Sequence, residues 1–73
     1  MRYKDQSGNS GVLEYEPGPG FIRIWFLSGE GYEYDYTKPG KAEVDEMKRL
    51  ARAGKGLATY INQHVQKNYA RTL

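Results

Sequence analysis

Seventy-three residues with a formal net charge of +2 allow one domain with one small core, burying about 60% of the surface its unfolded chain exposes. The absence of cysteine excludes a disulfide framework and a cysteine metal site, and the single His64 cannot supply an all-protein zinc centre. No apolar run approaches the roughly 18 residues of a membrane span, and the amino terminus lacks the charged-then-apolar pattern of a signal peptide, so the expected setting is a reducing cytoplasm with no membrane contact.

Taken in order, Met1-Arg2-Tyr3-Lys4 can pair briefly as an edge strand. It runs into Asp5-Gln6-Ser7-Gly8-Asn9-Ser10-Gly11, a cluster of turn formers with nothing to bury, so residues 1–11 are expected to be mobile. Val12 to Glu16 alternates apolar and polar residues and ends at Pro17-Gly18-Pro19-Gly20, read as a four-residue turn. Phe21 to Tyr36 then carries two alternating runs around Ser28-Gly29-Glu30-Gly31, the sequence form of a β-hairpin.

The register of this hairpin decides which side chains are free for function. An even loop would set Ile22, Ile24 and Phe26 beside Glu33 and Asp35, burying carboxylates in the apolar face, which is costly without partners. An odd loop with a glycine in the left-handed bulge position sets Phe26 opposite Tyr32, Ile24 opposite Tyr34 and Ile22 opposite Tyr36. The first hairpin then sets Leu13 opposite Ile24 and Tyr15 opposite Ile22, extending the same apolar face. The other face carries Val12, Glu14, Glu16, Phe21, Arg23, Trp25, Glu33 and Asp35.

After Thr37-Lys38-Pro39-Gly40 the period changes. Val44, Met47, Leu50 and Ala51 recur at three and four residues, predicting a helix over 41–53 with acidic residues in its first turns, basic ones in its last, and Gly54 as its cap. A second helix is expected over 57–69, burying Leu57, Ile61 and Val65, with Tyr60 and Tyr69 beside them. The predicted architecture is a single α+β domain over 1–73. A three-stranded antiparallel meander within 12–36 is covered on one face by two carboxy-terminal helices within 41–69, in the order β-β-β-α-α, with the short amino-terminal edge strand as an addition.

The spacing from Ser10 and Tyr15 through Phe26, Gly29, Tyr32-x-Tyr34, Ala51, Gly54, Gly56, Ile61-Asn62 and Tyr69 resembles the KTSC domain, named for the carboxy-terminal segment of some lysyl-tRNA synthetases. The likeness covers about 60 residues. Members usually show a serine near the position of Ala53 and a Val-Pro pair where this chain has Lys38-Pro39. The resemblance implies the same small fold and an RNA-binding role. As a whole, the chain also resembles small bacteriophage proteins that bind the host RNA polymerase and regulate transcription.

No catalytic constellation can be assembled. Tyr32, Tyr34 and Tyr36 read as core residues rather than a base-stacking platform, because that register keeps Glu33 and Asp35 wet. Gly18, Gly20, Gly29 and Gly31 follow no phosphate-binding pattern. His64 has no nucleophile or orienting partner at readable spacing. The sheet carboxylates, with Arg23 among them, read as a charge network rather than a metal site. No enzyme activity, cofactor, metal or small-molecule substrate is therefore expected.

Two features remain. The first is the outer sheet face, with Phe21, Arg23 and Trp25 among Glu14, Glu33 and Asp35. Aromatic and arginine anchors suit a protein partner, and the carboxylates favour one with a basic patch; the resemblance to bacteriophage regulators implies that this partner is a bacterial RNA polymerase subunit, in the host cytoplasm. The second is the basic series Lys48, Arg49, Arg52 and Lys55, with Lys67 and Arg71 near it, which offers phosphate contacts and hence an alternative RNA-binding role.

Overall fold

A computed structural model describes residues 2–3, 11–65 and 67–73. The mobility expected of residues 1–11 falls mostly on 4–10, outside the described residues. Four strands, β1 (Val12–Gly18), β2 (Phe21–Phe26), β3 (Gly31–Asp35) and β4 (Arg71–Thr72), form one antiparallel sheet in sequence order. Helix α1 (Lys41–Ala53) and α2 (Leu57–Tyr60), which continues into a π-helical turn over Ile61–Val65, form the second layer.

The α+β class and the face assignment agree with the sequence, while both registers differ from it by two residues. In the second hairpin Ile22 pairs with Tyr34 and Ile24 with Tyr32. The loop is odd, as expected, but only three residues long. The Phe26 N–H donates to Glu30 O at 2.8 Å and the Gly29 N–H to Phe26 O at 2.9 Å. Gly29 occupies the left-handed bulge position at φ 97°. In the first hairpin Tyr15 pairs with Ile24 and Gly18 with Phe21, so Pro19-Gly20 alone makes the turn. A slip of two preserves every face, which is why the hydrophobic pattern could not detect it.

A bulge between Val12 and Glu14 does change a face. Val12 is buried and Leu13 half-buried, the reverse of the expected pair. The inner face supplies Tyr15, Ile22, Ile24 and Tyr34 to the core, against Val44, Met47 and Ala51 of α1 and Leu57, Ile61 and Val65 beyond it. Phe26, Tyr32 and Leu50 pack at its margin. Tyr36, placed in the core by the sequence reading, is 40% exposed beyond the end of β3, where its hydroxyl donates to Asp45 at 2.8 Å. Tyr3 joins the core instead. Its N–H donates to Leu13 O at 3.0 Å, and Arg2 bridges to Glu14, so the amino-terminal pairing with the sheet edge does form.

Helix α1 runs over the predicted span, and Gly54 caps it at φ 77° with its N–H on Leu50 O. A side chain at that left-handed position would be strained. The second helix ends four residues earlier than the sequence reading put it. After Val65 the Asn68 N–H turns back to Val65 O, and the Ala70 N–H already donates to Glu33 O. The chain thus leaves the helix to pair with β3, adding the fourth strand. Tyr69 lies on this connection and stacks on Tyr32 with centroids 4.3 Å apart. Among the described residues, no helix is long and apolar enough to cross a membrane.

Candidate protein interface

The helices cover the inner face of the sheet, so odd-numbered side chains of β2 and β3 and, beyond the bulge, the even-numbered ones of β1 from Glu14 onward point away from them. At the level of Arg23 the registers align four charges. Glu16 pairs with Arg23, Arg23 with Glu33, and Glu33 with Arg71, one residue from each strand. Their side chains are joined in the same order. Arg23 donates to Glu16 Oε1 at 3.0 Å and to Glu33 Oε1 at 2.8 Å, and Arg71 Nε lies 2.9 Å from Glu33 Oε2. The two carboxylates raise the Arg23 pKa further, with the Glu33 hydrogen bond contributing most. Glu33 is only 6% exposed, because two arginines close over it.

On either side of this row an aromatic ring lies across a glycine. A Cβ on Gly18 would sit 2.1 Å from the Phe21 ring, and one on Gly31 would sit 2.6 Å from Trp25 Cδ1. Each glycine is the cross-strand partner of its aromatic. Both had read as turn residues; in the sheet they are flat seats for side chains lying over the backbone. Phe21 is also covered by Arg23, whose guanidinium carbon is 4.8 Å from the ring centroid. Phe21 is thereby occupied within the molecule. Trp25 is half-buried and borders a shallow cleft of about 380 Å³ with Leu13, Glu14, Glu16 and Phe26.

The remaining predicted members of this face have mixed roles. Glu14 is exposed beside Trp25. Asp35 instead stabilises the turn after β3, its Oδ1 accepting the N–H groups of Thr37 and Lys38 at 2.9 and 2.8 Å. Sequence reasoning missed Leu13, brought to this side by the bulge, and Arg71, brought by a two-residue strand too short to leave a periodic signal. Leu73 was missed for the same reason; its N–H donates to Gly31 O and its Cβ comes within 3.3 Å of the Gly31 Cβ position.

The basic series does not gather in the same way. Lys48 Nζ donates to Gly18 O at 2.7 Å and lies 5.5 Å from the Tyr36 centroid. Arg49 forms a forked pair with Glu46, which raises its own pKa and lowers that of the carboxylate. Arg71, expected beside these cations, belongs to the sheet row instead. Arg52, Lys55 and Lys67 are exposed, and Lys67 borders a cleft of about 570 Å³ between the hairpin tip and Ile61–Asn62. His64 is exposed and stacks on Tyr60 with centroids 4.5 Å apart. Among the described residues no three His, Asp or Glu side chains come together as metal ligands. Compared with models of protein families, with curated proteins and with solved structures, the chain matches none of them.

Proposed function

We propose that this chain is a non-enzymatic protein-binding regulator with a KTSC-like fold, docking through the outer face of its sheet. The observation that carries the reading is Trp25. An indole lying against Gly31, bordered by Leu13 and Glu14 on a sheet face that the helices leave bare, has the composition of an interface anchor with a polar rim. Such a module acts by occupying a surface another factor needs, with no chemistry of its own. Following the resemblance to bacteriophage regulators, the assembly to test first is bacterial RNA polymerase.

The RNA-binding alternative draws less support. Of the basic series, Lys48, Arg49 and Arg71 are engaged within the molecule, and Arg52, Lys55 and Lys67 are exposed at separate places. Purified polymerase and a bacterial lysate, the lysate both untreated and nuclease-treated, are passed in turn over the immobilised chain and decide between the readings. Retention of polymerase that is lost on Trp25→Ala supports docking. Recovery of RNA alone, with affinity falling steeply as salt rises and weakening on Arg52→Ala with Lys55→Ala, overturns it.

A further inference from the structure

The charge row Glu16–Arg23–Glu33–Arg71 crosses all four strands with alternating sign. An alternating row with an even number of members has a symmetry consequence. Turning a second copy over about an axis parallel to the strands, midway between β2 and β3, exchanges β1 with β4 and β2 with β3. Glu16 then faces Arg71 of the other copy and Arg23 faces its Glu33, twice each, so all four facing pairs are of opposite charge. An axis along the row instead sets each residue against itself, and every pair repels. The row is self-complementary in one orientation and excludes the other, as an isologous interface requires.

The apolar part of the face agrees with the same axis. Trp25 stands on β2 but its indole lies over Gly31 of β3. The ring therefore sits above the midline of the sheet, where the axis runs, and meets its symmetry mate there.

We propose that the outer face binds a second copy of this chain, face to face, about that axis. The proposal rests on reading this face as a docking surface and names its occupant. Sheets packed this way lie about 10 Å apart with strands some 30° from aligned, a gap that arginine and glutamate side chains from both copies span. The molecule measures 31 × 22 × 22 Å, so a face spanning two of these directions offers roughly 500–700 Å² per copy and two copies bury about 1,000–1,400 Å², at the low end of specific interfaces. The dimer is consequently weak and seen at high protein concentration.

Glu16 and Arg71 are solvent-exposed, with side chains 52% and 64% accessible, so reversing either leaves the apolar core intact but sets a like charge beside its own partner, Arg23 or Glu33. Circular dichroism of each variant alone verifies that it stays folded. In Glu16→Arg alone, two facing pairs become Arg against Arg. In Arg71→Glu alone, two become Glu against Glu. Mixing the two variants restores four opposite pairs in the heterodimer. Sedimentation equilibrium should show the wild type associating with rising concentration, each variant alone associating at least about tenfold more weakly, and the equimolar mixture recovering wild-type association. Rearrangement of charges within one molecule cannot produce that recovery. A wild type that stays monomeric to about 1 mM, or a mixture as monomeric as its components, overturns the proposal. Polymerase capture lost on Trp25→Ala in that same case leaves the docking face standing with a different occupant; no capture removes both.

Discussion

Gly31→Ala tests whether the indole lies over the sheet as a structural element. The added methyl would lie 2.6 Å from Trp25 Cδ1 and 2.8 Å from Nε1, closer than any side chain packs, and the far side is the β3 backbone, which cannot yield. The ring must lift. Exposing roughly 60 Å² of its lower face costs about 1.5 kcal/mol. The change also removes chain freedom that glycine gives the unfolded state, returning about 0.5 kcal/mol. The net loss is about 1 kcal/mol, a fall in Tm of roughly 4–8 °C for a domain of this size. Trp25 is the only tryptophan in the chain, so its emission reports the same event, shifting to the red before any unfolding. Gly11→Ala, where a Cβ meets nothing within 4 Å, is the control: it should leave the emission unchanged and, through the same unfolded-state effect, leave Tm unchanged or slightly raised. Unchanged emission and unchanged Tm in Gly31→Ala would refute the placement of the ring.

Leu57→Ala, at a side chain with no exposure, should cost about 2–5 kcal/mol by urea denaturation, whereas Leu27→Ala, at 65% exposure, should stay within about 0.5 kcal/mol; equal effects would place the core elsewhere. Burial pushes the Tyr34 phenol up from 10.0 to about 12. The unfolded chain therefore loses this proton first, so the contribution is complete below pH 10 and is lost as pH rises toward 12. Alkaline unfolding followed by circular dichroism should begin in that window, and Tyr34→Phe should flatten the dependence. Lys48→Ala removes the 2.7 Å hydrogen bond from α1 to Gly18 O and should lower stability by about 1 kcal/mol without changing polymerase or RNA retention; a selective loss of RNA binding would return Lys48 to the nucleic-acid reading.

The α1 span was legible because four apolar residues at helical spacing lie between Gly40 and Gly54, signals contained within fifteen residues. The face assignment was legible because Glu33 and Asp35 alternate with tyrosines, and burying either carboxylate unpaired is costly. Glu33 shows the limit of that argument. It points away from the helices as expected and is nevertheless buried, since Arg23 and Arg71 cover it from the two neighbouring strands.

Local alternation and helical period thus determined the class, the helix α1 and which side of the meander faces inward, because each depends on neighbours along the chain. Pairing partners were decided only in three dimensions. A two-residue slip costs the pattern nothing, and what accompanies the observed register is how particular side chains seat across the strand pairs: Trp25 over Gly31, Phe21 over Gly18, and the bulge that trades Leu13 for Val12. The fourth strand belongs to the same category. Arg71 and Thr72 carry no strand signal of their own, and they become a strand because β3 offers unpaired backbone groups and Glu33 a carboxylate at that edge.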